Sequence, residues 1–289
     1  MTSTPPRLSE QLVAQLSNCT LCPRECRVNR LQDERGFCGI GRWAVVASAG
    51  PHYGEESVLV GRHGSGTIFF SGCNLGCCFC QNYDISHYRE GAETDPRTLA
   101  AIMLRLQKIG CHNINVVTPT HVVPQIVEAL ELARRDSLHV PLVFNCGGYE
   151  KVETLRTLKG VVEIYMPDAK FWNAASAERY CRAPDYPDRM RAALREMHAQ
   201  VGDLQIVNGL ATRGLLVRHL VMPGLVEESL QIMEFLAREI SPNTFVNVME
   251  QYRPMFHAAD FTEIARRPTS AEYLHVLRHA QSLGLRISD

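Results

Sequence analysis

The sequence predicts an α/β protein: a partial (β/α)6 barrel of the TIM type behind a small N-terminal metal-binding segment with four cysteines. Three observations predict it. From Thr67 onward six apolar, strand-like runs alternate with helical patterns, as in a parallel sheet. Each run ends in a distinctive polar or Gly/Pro group: SGCNLGCCFC, TPTH, NCGGYE, PDAK, MPG and EQYRP. Residues 67–289 also fall short of the roughly 250 residues that a closed eightfold barrel takes, so about six units fit better.

The elements follow in order. Residues 1–18 read as a short amphipathic helix behind a polar, Pro-containing tip. Then comes NCTLCPRECRVNRLQDERGFCGIGRW, with Cys19, Cys22, Cys26 and Cys38. Residues 43–62 hold short β-like runs, WAVVAS and SVLVG, broken by GPHYGEE. The Cys-rich segment is taken as 1–62 and the barrel as 63–289. The barrel strands are TIFF (67–70), NINVV (113–117), VPLVF (140–144), VVEIYM (161–166), LLVRHLVM (215–222) and TFVNVM (244–249). The clearest helix is 95–109. Asp95 caps it, Pro96 suits the first turn, Leu99, Ile102, Met103 and Leu106 share a face, and Gly110 ends it. Residues 227–240 repeat the pattern with Leu230, Met233 and Ile240, and 270–283 open on Thr269-Ser270 and stop at Gly284.

Composition narrows the function. The chain has 289 residues, 45% hydrophobic and 21% charged, which is ordinary for a globular protein. A net charge of −1 gives no footprint for nucleic acid or an anionic membrane. No apolar run approaches a membrane span, and the start lacks a secretory signal, so a cytoplasmic location is expected. Thiols stay reduced there, and 11 cysteines is an odd number for a disulfide framework. Metal or redox chemistry is the better reading.

Four cysteines crowd into GCNLGCCFCQN. Cys73, Cys77 and Cys80 have the spacing C-x3-C-x2-C. Four thiolates normally hold a [4Fe–4S] cube, so three in one loop leave an iron open for chemistry. Neighbouring side chains at Cys77 and Cys78 point apart, which makes Cys78 the bystander. A zinc knuckle would want four ligands in recognisable pairs. Strand-end groups gather at the mouth of such folds, although Gly and Pro there also serve simply to turn the chain.

The loop, with Phe79 before the last cysteine, resembles the signature of radical S-adenosylmethionine (SAM) enzymes. GSGTIFFSGCNLGCCFCQN, NVVTPTH and VNVMEQYRP make about residues 15–260 similar to the branch of pyruvate formate-lyase activating enzyme-like proteins. The resemblance implies a [4Fe–4S] cluster on Cys73, Cys77 and Cys80, with SAM on the open iron. It implies a 5′-deoxyadenosyl radical made by reductive cleavage of SAM, and an electron donor such as flavodoxin or ferredoxin. Carried over by position, Phe79 and Gln81 lie near adenine. Thr118 to His121 replace the relatives' Gly-Gly-Glu, and Thr118 and Thr120 are the hydroxyls available for the SAM amine. Asp168 and Lys170 match an Asp-x-Lys pair, with Lys170 facing the SAM carboxylate. Arg218 and His219 stand where relatives place polar groups near ribose and carboxylate. Gln251 and Tyr252 end the sixth strand near adenine or substrate. Structural ion pairing is the competing reading for the charged residues. No residue is singled out as catalytic, and Cys111, Cys146 and Cys181 read as packed small residues.

Cys19, Cys22, Cys26 and Cys38 suit a structural zinc or a second cluster. With no substrate-type residues nearby, structural zinc is the preferred reading. The implied activity is hydrogen abstraction, with activation of a glycyl radical enzyme as one target and a peptide, an RNA or a small metabolite as others. A non-catalytic iron–sulfur or zinc protein is the alternative class. Segment 171–189, with Trp172, Tyr180 and Tyr186, is the candidate surface for a protein substrate or, alternatively, packs a helical excursion.

Overall fold

A computed structural model describes residues 7–288, so the polar tip at 1–6 lies outside the described residues. In chain order the first elements are α1 (Leu8–Ala14), β1 (Ala44–His52), α2 (Ser57–Val60), β2 (Ser65–Phe70), α3 (Tyr83–Ser86) and β3 (Ala92–Thr94). The repeating units follow: α4 (Pro96–Lys108), β4 (Ile114–Val117), α5 (Val123–Arg135), β5 (Leu142–Cys146), α6 (Val152–Thr157) and β6 (Ile164–Pro167). The remainder is α7 (Ala174–Cys181), α8 (Tyr186–Val201), β7 (Gln205–Val207), β8 (Leu210–Leu220), α9 (Val226–Phe235), β9 (Phe245–Met249), α10 (Ser270–Ser282) and β10 (Arg286–Ile287).

The strands form one open sheet in the order β10-β9-β8-β6-β5-β4-β2-β1-β3, with β7 paired to β8. The six strands expected from the sequence are β2, β4, β5, β6, β8 and β9, and each pairs parallel with its neighbour. The two-residue β10 adds a further parallel strand beside β9. At the other edge β1 and then β3 add antiparallel. WAVVAS is thus a strand, and it belongs to the same sheet as the barrel strands. SVLVG is a departure from expectation: Leu59 and Val60 N–H groups close a helical turn on the Glu56 carbonyl. A run of three apolar residues carries too little periodicity to separate strand from helix. Here the turn puts Leu59 into contact with Val143, Ile164 and Leu216.

Local signals place the helices as the chain order requires. Asp95 accepts hydrogen bonds from the Arg97 and Thr98 N–H groups, and Leu99, Met103 and Leu106 are buried. Thr269 and Glu272 form a reciprocal capping box at α10. Period-2 alternation divides the sheet's two faces. Val116, Phe144, Tyr165 and Val217 pack with the helices in the main core. Val143, Ile164, Met166 and Leu216 form a smaller cluster on the opposite face. Among the described residues no helix is long and apolar enough to cross a membrane.

Candidate functional site

The cysteine loop leaves β2 through Ser71-Gly72. Gly72 takes φ +78°, and a Cβ there would lie 2.6 Å from the Cys38 carbonyl oxygen, so only glycine allows this turn. Cys73, Cys77 and Cys80 then line a cleft of ≈ 260 Å³ at the C-terminal ends of the parallel strands. Each thiol receives a donor: the Leu75 N–H at 3.3 Å from Cys73, the Ser86 hydroxyl at 3.1 Å from Cys80, and the Cys181 thiol at 3.4 Å from Cys77. The Cys181 hydrogen bond, against burial and helped by Lys170, holds the Cys77 thiol below its usual value. Burial pushes Cys73 up to about 12. Cys78 lies outside the cleft lining, its backbone tied to Tyr180 and His257.

The facing wall is polar. Thr118, directly after β4, lines the cleft with φ +58°, an outlier for a β-branched residue. Its N–H donates to the Asn145 carbonyl at 2.9 Å. The strands β6 and β8 pair at only two positions, then meet again where Asp168 bridges Arg218. That register builds an ion network. Lys170 Nζ lies 2.5 Å from Asp168 Oδ2, Arg218 Nε 3.0 Å from Asp168 Oδ1, and Arg218 Nη1 3.6 Å from Glu55. Arg218 Nη2 also donates to Asn145 Oδ1 at 2.8 Å. Although burial opposes ionisation, the Arg218 and Lys170 charges keep Asp168 below the ordinary carboxylate value. Gln81 and Gln251 close the rim, the Gln81 amide donating to the Gln251 carbonyl at 3.1 Å. Phe79 touches the cleft while packing against Phe171 and Tyr252.

Some residues singled out in the sequence face elsewhere. Thr120 is buried outside the cleft lining and donates to Glu150 at 2.7 Å. His219 is buried on the helix-side face, one position from Arg218, and donates through Nδ1 to the Ala169 carbonyl at 2.6 Å. Strand alternation forbids both neighbours from entering the same cleft. His121 sits against the N-terminal segment, with Nε2 2.8 Å from the Ser71 carbonyl. Tyr252 is fully buried, its hydroxyl donating to the Ile264 carbonyl. Tyr180 and Tyr186 are buried too. The Tyr186 hydroxyl accepts from the Lys170 N–H at 3.0 Å, so segment 171–189 braces the ion network from behind.

Cys146 and Cys181, expected as packed small residues, are buried, but Cys146 also lines the cleft and Cys181 meets Cys77. Asn145, which also lines the cleft, and Glu55, which anchors Arg218, were not singled out in the sequence. The strand-end group NCGGYE carried a signal for Asn145 and Cys146. Nothing local to Glu55 or Cys181 did. Among the described residues, no three Cys, His, Asp or Glu side chains converge as the donors of a single metal ion. A multi-iron group, which takes each thiolate on a separate iron, fits the three-thiol loop.

The profile of the Radical SAM superfamily matches residues 67–236. An uncharacterized protein of Methanocaldococcus jannaschii is 34% identical over 278 residues, covering 93% of this chain and 75% of its own length. Among solved structures, Streptococcus suis SuiB bound to S-adenosylmethionine aligns over 75% of this chain and 47% of its own, with TM-score 0.52 and 11% identity. The anSMEcpe enzyme with bound AdoMet and Cp18Cys peptide aligns over 73% and 56%, with TM-score 0.50 and 11% identity. The chain thus spans about half the length of these structures, and at such identity the likeness shows the fold, a partial barrel.

Proposed function

This chain belongs to the radical SAM superfamily, and we propose that it abstracts a hydrogen atom from a polypeptide, with a glycine Cα–H of a partner enzyme as the target. The observation that carries the reading is the three-thiol loop opening into a cleft whose far wall presents Lys170 and Arg218. With Cys78 turned away, Cys73, Cys77 and Cys80 would hold the cluster and leave one iron for SAM. When bound, the cluster supplies the electron that splits SAM into methionine and a 5′-deoxyadenosyl radical.

The protein's own part is placement and exclusion of water. Lys170 and Arg218 hold the SAM carboxylate, while Asp168 keeps both cations aimed into the cleft. Thr118 offers its hydroxyl to the amine. Gln81, Gln251 and Phe79 border the adenine. Leu75, Ile85, Val117, Leu220 and Met249 make the remaining wall apolar, which limits quenching by solvent. An electron donor such as flavodoxin or ferredoxin completes the turnover. In the same reading Cys19, Cys22, Cys26 and Cys38 hold a second metal centre, zinc or iron–sulfur.

Two supports favour a polypeptide. The loop and strand-end motifs are similar to those of pyruvate formate-lyase activating enzymes. SuiB is also solved with its precursor peptide SuiA, and anSMEcpe with a Cp18Cys peptide, which makes a peptide the second reading. The test uses reduced, reconstituted protein, SAM, and an extract of the source cells grown on α-deuterated glycine, split into protein, RNA and metabolite fractions. Deuterium should enter 5′-deoxyadenosine from the protein fraction. Label arriving from RNA or metabolites instead would refute the polypeptide reading. Absence of 5′-deoxyadenosine with cluster and SAM both bound would refute the activity itself.

A further inference from the structure

We propose that Cys181 donates its thiol hydrogen to the Cys77 sulfur that binds the cluster, and that this hydrogen bond makes the cluster easier to reduce. The inference deepens the reading of Cys73, Cys77 and Cys80 as the cluster's ligands and rests on it. Cys181 Sγ lies 3.4 Å from Cys77 Sγ. A disulfide would bring the two sulfurs to about 2.05 Å, and both cysteines are free. The hydrogen has one place to sit. Cys77 binds iron as a thiolate and then carries no proton, so the proton of the pair belongs to Cys181. With Cys181 ionised as well, two sulfur anions would face each other where Cys77 is 9% and Cys181 1% exposed.

The cleft that Cys73, Cys77 and Cys80 line leaves Cys181 out, which makes it a neighbour of Cys77 and not a fourth ligand. It is the last residue of α7, and hydrogen bonds pin that helix end to the cysteine loop. The Cys78 N–H donates to the Tyr180 carbonyl at 2.9 Å. The Arg24 guanidinium donates to the carbonyls of Cys181 at 3.0 Å and Arg182 at 2.6 Å. It also donates to those of Asn74 at 2.9 Å and Leu75 at 3.1 Å within the loop. Tyr180, one position before Cys181, packs against Phe171 and Phe261, with ring centres 5.9 and 5.4 Å away. The helix end and the loop are thus held as one unit, and the sulfur–sulfur distance is fixed from both sides.

The three ligand sulfurs receive donors of different kinds: the Leu75 N–H at Cys73, the Ser86 hydroxyl at Cys80 and the Cys181 thiol at Cys77. Leu75 and Ser86 lie in or just past the loop, whereas Cys181 reaches Cys77 across 104 residues. Hydrogen bonds to the sulfurs are among the factors that set a cluster's reduction potential. When one electron enters from the donor protein, negative charge on the ligand sulfurs grows. A hydrogen aimed at Cys77 then stabilises the reduced form more than the oxidised form, and burial strengthens the effect. The proton stays on Cys181 throughout. A thiol is a weak donor, so the expected change in the reduction equilibrium is about three- to tenfold.

The test is a redox titration of anaerobically reconstituted protein, followed through the EPR signal of the reduced cluster that responds to SAM. Cys181→Ala should move the midpoint to more negative values by about 30–60 mV, which is the three- to tenfold change at about 59 mV per decade for one electron. Iron, sulfide and SAM affinity should match those of the natural chain. Cys181→Ser keeps a donor and should restore most of the midpoint. If Cys181→Ala does not fold, Cys181→Val occupies the space without a donor and takes its place. An unmoved midpoint in the donor-free variant overturns the inference alone, and so does a Cys181→Ser midpoint shifted as far as that of Cys181→Ala. A folded Cys181→Ala variant without the cluster overturns it by making Cys181 a ligand. A natural chain that assembles no reducible cluster overturns the ligand reading and this inference together.

Discussion

Glu150 offers a quantitative test of how the barrel interior is organised. It is buried, accepts the Thr120 hydroxyl at 2.7 Å, and has no cation beside it among the groups that set its ionisation. Burial pushes its carboxyl up to about 7 from the ordinary 4.5, against weaker opposing hydrogen bonds from Thr120 and Cys146. Between these two values the folded chain keeps a proton that the unfolded chain has lost. Stability therefore falls as pH rises from about 4.5 to 7 and stays low above it. At about 1.4 kcal/mol per pKa unit the full penalty is about 3 kcal/mol. A glutamine in its place carries no charge and retains an oxygen for Thr120. The Glu150→Gln variant should gain about 1 kcal/mol over the natural chain at pH 5.5 and about 3 kcal/mol at pH 8.5. Urea unfolding of anaerobically reconstituted protein at several pH values measures the difference. Since Thr120 is committed to this interaction, SAM affinity should match that of the natural chain. A pH-independent difference, or a less stable variant at pH 8.5, would refute the reasoning.

Lys170→Met should weaken SAM binding roughly ten- to a hundredfold by equilibrium dialysis with iron content intact, since a charge-assisted hydrogen bond is worth about 1.5–3 kcal/mol; unchanged affinity would assign Lys170 to structure. Asp168→Asn leaves two mostly buried cations with only Glu55 and Glu56 as carboxylates acting on Arg218 and should cost about 3–5 kcal/mol of stability in the absence of SAM, recovered in part when SAM binds. Thermal scans with and without SAM check this, and an unshifted midpoint counts against the network. Cys73→Ala, Cys77→Ala or Cys80→Ala should each abolish the first cluster while Cys78→Ala spares it, read from iron and sulfide per chain. Thr118→Gly relieves a left-handed strain of about 1–2 kcal/mol, so stability should hold or rise while SAM affinity falls; a clear loss of stability would show that the hydroxyl's role is structural.

The parallel strands, the α4 cap and the crowded loop were legible because each is a local pattern: apolar runs of strand length, Asp-Pro before a periodic face, thiols at close spacing. The likeness to radical SAM enzymes followed from those same residues. Tertiary structure decided the rest. Alternation in β8 separates Arg218 from His219, but only the packed sheet shows which face meets the helices. Thr120 reads like Thr118 in sequence, yet backbone direction after β4 sends one to Glu150 and the other to the cleft. Cys181 meets Cys77 across 104 residues, and Arg24 meets Cys181 across 157. Such contacts depend on strand register and helix docking, which are set by the summed packing of the whole core. No short stretch of sequence contains that sum.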